Sequence, residues 1–108
     1  MADDRKGFNE GMLDAVARVP EHMVHRTFDA ETLLLNLDTG QFHGLNETGG
    51  RMLELLETTG GRIREAGVKL ADEYGVEFDD IAPDLVAFCA NLQERGLIVV
   101  EDRAQPSS

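Results

Sequence analysis

Apolar positions fall into three short runs between residues 22 and 45, each bounded by polar turns. Beyond residue 46 they recur every three or four residues. The first regime predicts strands and the second helices. His22 to Phe28 reads as one strand, Thr32 to Leu37 as a second and Gln41 to Leu45 as a third. Asp29-Ala30-Glu31 is a short polar connection. Asp38-Thr39-Gly40 suits a hairpin turn closed by a glycine in the left-handed region. With Asp38 to Gly40 as the loop, Leu37 is expected opposite Gln41, Leu35 opposite His43 and Leu33 opposite Leu45. Leu34, Asn36, Phe42 and Gly44 then line the other face, because side chains alternate along a strand. Both faces carry apolar groups, so one packs on the domain's helices and the other needs a cover or a partner. The three strands form an antiparallel meander.

Asn46 is a good N-cap for a first helix, whose buried stripe is Met52, Leu53, Leu55 and Leu56. Gly49 and Gly50 weaken its first turns, and Thr58-Thr59-Gly60-Gly61 stops it. A second helix is expected from Arg62 to Tyr74, buried through Ile63, Ala66, Leu70 and Tyr74, with Gly67 as a weak point and Gly75 as its left-handed cap. A third is expected from Asp80 to Arg95, with Asp80 as N-cap and Pro83 in its first turn. Its core positions are Ile81, Leu85, Phe88 and Leu92. Gly96 closes it, and Leu97 to Val100 is a last extended segment. The fold class is therefore α+β: a three-stranded antiparallel sheet followed by three helices, arranged as a winged helix-turn-helix.

Three regions follow from this pattern. Residues 1–19 form an N-terminal segment, partly disordered over 1–7. Residues 8–19 carry both helical and strand spacing up to Pro20, and they are one possible cover for the second face of the hairpin. Residues 20–101 are the folded domain, and 102–108 a polar, fraying tail.

The chain has 108 residues and a formal net charge of -11, from 21 acidic and 10 basic side chains. That balance disfavours a nucleic-acid partner, which needs clustered Lys and Arg. It favours solubility and cationic partners. The third helix carries Asp80, Asp84 and Glu94 against Arg95 alone, unlike a recognition helix facing phosphates. No apolar run is long enough for a membrane span, and the N-terminus lacks a secretory signal, so a cytoplasmic protein is expected. Cys89, the single cysteine, reads as a buried apolar residue. His22, His25 and His43 suggest no metal site, since no ligand set completes one. The glycine pairs match no phosphate loop. Neither a cofactor nor a catalytic constellation is expected, so the chain is not read as an enzyme.

The run LLLNLDTGQFHGLNETGGRMLELLE, the later LADEYGV and the following DLVAFCANLQERGLI resemble the pyrroloquinoline-quinone synthesis protein D family. The resemblance covers about residues 20 to 100. Gly50, Gly61 and Gly67 depart from it, standing where such proteins more often carry ordinary helix formers. The resemblance implies a recognition element for ribosomally synthesised, post-translationally modified peptides. Such proteins bind the leader region of a precursor peptide and present it to a modifying enzyme of the same pathway. They occur in pyrroloquinoline-quinone, lasso-peptide and radical-enzyme pathways, and they do not catalyse.

The residues supply a mechanism for that role. The third strand of a meander can be an edge, and an edge strand offers unpaired N–H and C=O groups to a guest strand. Here that edge is Gln41, Phe42, His43, Gly44 and Leu45. Gly44 permits close approach of another backbone. The resemblance adds the third helix as the groove's other wall, with Asp84, Ala87, Phe88 and Asn91 on one side of it. Each residue also has a plainer role available. Phe42 and Phe88 suit a core, Asp84 suits the helix dipole and Gly44 suits a bulge. A winged-helix regulator is the alternative function. A homodimer pairing its own edge strands is compatible with peptide binding.

Overall fold

The structure is a computed structural model that describes residues 10–101. The expected disorder of residues 1–7 and of the tail 102–108 lies outside the described residues. A 3-10 helix, Glu10–Asp14, leads into β1 (Val16–Arg18). The meander follows as β2 (Met23–Phe28), β3 (Glu31–Asn36) and β4 (Phe42–Leu45). Helices α1 (Glu47–Thr58), α2 (Ile63–Tyr74) and α3 (Phe78–Glu94) come next, and β5 (Val99–Glu101) ends the described chain. The architecture is α+β, with a three-stranded antiparallel sheet in the order β2-β3-β4 and three helices.

The hairpin register differs from the expectation by one residue. Leu35 faces Phe42, Leu34 faces His43 and Leu33 faces Gly44. The cause is Asn36, whose Oδ1 accepts the N–H groups of Asp38 and Thr39 at 2.8 and 3.2 Å. This Asx turn lengthens the loop to Leu37–Gly40, which Gly40 closes at φ +79° by donating to the Asn36 carbonyl. A one-residue shift in register changes which side chains share a face. The inner face carries Met23, Thr32, Leu34 and Leu45, all buried. Val24, Leu33, Leu35 and Phe42 share the outer face, where Phe42 is 68% exposed. Phe42 and Gly44 thus stand with Leu33 and Leu35, and not with Leu34 as the shorter loop implied.

The described part of the N-terminal segment, residues 10–19, does not cover that outer face. β1 pairs with β5 in a separate two-stranded sheet, and the Ala17 N–H donates to the Gly61 carbonyl at 2.7 Å. Leu13, Ala15 and Ala17 are buried in the core beside the helices. Burying a leucine side chain contributes about 2 kcal/mol, so this segment stabilises the domain.

The helices follow their sequence signals, with two corrections: Tyr74, expected on the buried face of α2, is 42% exposed because it is the helix's last residue, and α3 starts early. Asn46 caps α1 by accepting the Gly49 N–H at 2.8 Å, and Gly75 caps α2 at φ +70°. α3 begins at Phe78, three residues earlier than a cap at Asp80 implies, and Glu77 occupies the cap position without a side-chain bond. Phe78 packs against the core and meets the guanidinium of Arg64, 5.9 Å from its ring centre. That burial outweighs the missing cap, and it places Pro83 inside the helix rather than in its first turn. Gly67 has a packing role: a Cβ there would lie 2.8 Å from Phe78 Cε1. Leu34, Leu53, Ile63, Leu70, Leu85, Cys89, Leu92 and Leu97 form the fully buried centre.

Candidate peptide-binding site

β4 is the free edge of the meander, as the sequence predicts, and its hydrogen-bonding directions follow from the central strand. The Leu37 N–H donates to the His22 carbonyl, and the Asn36 N–H donates to the Gln41 carbonyl, at 2.7 and 2.8 Å. Successive residues of an antiparallel strand bond to opposite neighbours. Thr32, Leu34 and Asn36 therefore bond towards β4, and Leu33 and Leu35 towards β2. On β4, Gln41, His43 and Leu45 turn their backbone groups to β3. Phe42 and Gly44 turn theirs outward, to the free edge. A Cβ at Gly44 would meet only Leu33 Cδ2, at 3.9 Å, so the edge is open there.

The side chains of β4 divide with the register. His43 is half-buried and Leu45 is buried, both on the inner face shared with the core. Phe42 points to the outer face, so it does not join the groove wall with α3. Gln41 lies just before the strand and is exposed.

α3 meets the inner side of this edge through Phe88. Its ring is partly buried against the core, and Gly49 is buried beneath it. A Cβ at Gly49 would lie 3.1 Å from Phe88 Cε1 and 3.5 Å from Leu45 Cβ. Asn46 ends β4 and starts α1, so one turn of chain sets strand, helix and ring together. Asp84 is exposed one turn before Phe88, and Ala87 is exposed immediately before it. Asn91 lies beyond it, and its Oδ1 accepts a hydrogen bond from Arg95 Nη1 at 3.2 Å. The other terminal nitrogen of Arg95, Nη2, lies 3.3 Å from His43 Nδ1. Arginine has only donors, so the His43 Nδ1 lone pair accepts.

Sequence reasoning selected Asp84, Ala87, Phe88 and Asn91 but missed Arg95 and Gly49. Arg95 continues the spacing 84, 88, 91 by one more turn, and that signal was present in the chain. Gly49 carries no such signal, because its role depends on the approach of α3. A cleft of about 300 Å³ is lined by Ala17, Leu53, Leu56, Gly61 and Ile98.

Away from the edge, Arg51 on α1 clamps Glu73 on α2, with Nη2 to Oε1 at 2.7 Å and Nε to Oε2 at 2.8 Å. It also reaches Glu54 at 2.8 Å. Hydrogen bonding to Glu73 pushes the guanidinium up from its ordinary value, and the same bonds hold the Glu73 carboxyl below the usual range. His25 on β2 contacts Glu57 at 2.8 Å. Cys89 is buried, and loss of solvent pushes its thiol up to about 12. No described helix is long and apolar enough to cross a membrane.

The chain belongs to the coenzyme PQQ synthesis protein D (PqqD) family, which it matches over residues 31–98. Two solved structures are similar to it. One is TbiB1 in complex with the TbiA(beta) leader peptide, at 29% identity and a TM-score of 0.68, over 83% of this chain and 99% of that one. The other is a lasso peptide synthetase B1 complexed with the leader peptide, at 25% identity and a TM-score of 0.67, over 77% of this chain and 96% of that one. No curated protein matches the sequence.

Proposed function

We propose that this protein binds the leader region of a ribosomally synthesised precursor peptide and presents it to a modifying enzyme without catalysing a step itself. The carrying observation is the open edge of β4 beside α3, in a chain similar over nearly the whole length of two proteins solved with leader peptides. The guest adds a fourth strand to the sheet. Its backbone bonds to Phe42 and Gly44, and its inward side chains meet Leu45, Phe88 and the exposed Asp84, Ala87 and Asn91. Backbone bonds supply affinity and side-chain contacts supply specificity. The arrangement of α2, α3 and the strands is read as a winged helix-turn-helix used for peptide rather than DNA. Asp79 and Asp80 in the first turn of α3 support that choice.

The test is calorimetric titration with the leader of a precursor peptide, which this reading expects to be encoded beside this protein's gene. The wild type is expected to bind. Gly44→Pro removes the outward N–H and is expected to weaken binding at least about tenfold while the thermal transition stays in place. Gly44→Ala, which the open edge accommodates, is expected to bind nearly as the wild type. Equal affinity for Gly44→Pro and wild type contradicts strand addition at β4.

A further inference from the structure

We infer that Arg95 is a specificity-determining residue, which selects an acidic side chain at the guest position opposite His43. The inference rests on the strand-addition reading and adds to it the chemistry of one guest residue.

Two observations carry it. The first is the company that arginines keep in this acidic chain. Arg18 pairs with Glu101, Arg51 with Glu54 and Glu73, Arg62 with Glu65 and Arg64 with Asp14. Among the described residues, Arg95 has no carboxylate partner, although acids outnumber bases 21 to 10. Its guanidinium lies between Asn91 Oδ1 and His43 Nδ1 rather than against a carboxylate. Two of its five N–H donors are used, and the rest are available to a carboxylate. Arg26, which also has no carboxylate partner among the described residues, stands on the outer face of the sheet, away from α3.

The second observation is register. A guest bonded to Phe42 and Gly44 places one residue opposite His43, with its side chain on the same inner face. Cα atoms of such a non-hydrogen-bonded pair lie about 4.5 Å apart. That side chain is delivered beside the Arg95 guanidinium, which contacts side chains of both α3 and β4. A planar carboxylate matches the guanidinium fork, and a prepositioned cation loses little freedom on pairing. The guest carboxylate also supplies the anion that the protein withholds from Arg95.

The probe is a display library of randomised short peptides, selected on the full chain, with the strongest binder then titrated by calorimetry. The expected result is enrichment of a strand-forming motif with Asp or Glu at one fixed position. Replacing that acid by its amide is expected to weaken binding about tenfold, as is Arg95→Gln. The two changes together are expected to cost no more than either alone, because they break one interaction. Arg95→Lys, which keeps the charge and loses the fork, is expected to recover only part of the affinity. A strand-forming motif without an acid preference, or additive losses, overturns the role of Arg95 and leaves strand addition standing. Failure of any motif to enrich overturns the strand-addition reading itself.

Discussion

The ring of Phe88 on α3 lies against Gly49 at the start of α1, so that a methyl group on Gly49 would stand 3.1 Å from Phe88 Cε1. This contact ties the inner wall of the groove to the strand through Asn46, which accepts the Gly49 N–H. Gly49→Ala sets two effects against each other. Helix propensity favours alanine by about 1 kcal/mol, and the ring must yield by a few tenths of an ångström at comparable cost. The expected outcome is an unfolding free energy within about 1 kcal/mol of wild type, measured by denaturant titration. Leader affinity is expected to fall, because the ring moves towards the guest. Unchanged affinity would separate Phe88 from the binding surface.

Removing residues 1–19 takes away Leu13, Ala15 and Ala17 from the core and leaves β5 without its partner. The lost leucine burial alone contributes about 2 kcal/mol, and the unpaired strand adds to it. Thermal denaturation is expected to shift downward by several degrees, since about 1 kcal/mol moves a domain of this size by roughly 4–8 °C. An unchanged transition would contradict the packing of this segment.

Cys89 gives the protein an alkaline limit. Its thiol titrates at about 12 in the fold and from an ordinary value of 9.0 when exposed. The unfolded chain therefore binds fewer protons than the folded one between these values, and stability falls as pH rises through that window. The slope is about 1.4 kcal/mol per pH unit, and the contribution is intact below pH 9. Cys89→Ala is expected to flatten that part of the profile. At neutral pH a thiol reagent is expected to label Cys89 only in denaturant, and rapid labelling of the folded protein would contradict its burial.

Much of the architecture was legible because its signals are local. The N-cap Asn46 and the left-handed Gly75 mark their helix ends by the chemistry of one residue. The meander and its free third strand follow from short apolar runs between turns. The errors arose where a distant contact or a side-chain bond decided the outcome. Asn36 lengthened the hairpin loop through its own carbonyl oxygen and so moved Phe42 out of the groove wall. Phe78 advanced the start of α3 because Gly67, on another helix, makes room for its ring. The strand spacing of β1 was visible beside a helical one, but its pairing was not, since its partner β5 lies at the opposite end of the described chain. The stripe of α3 was visible from spacing, but the link from Arg95 to His43 required the fold.

The central claim is that a guest strand bonds to the outward backbone groups of β4. Residue-resolved amide hydrogen exchange, with and without the cognate leader, reads those groups directly. In the free protein the Phe42 and Gly44 amides are expected to exchange fast, because neither bonds to β3. Leader binding is expected to slow both, with no comparable change at Met23, His25 and Thr27 on the opposite edge of the sheet. Leader binding that leaves Phe42 and Gly44 unprotected, or that protects the β2 edge instead, would contradict the account.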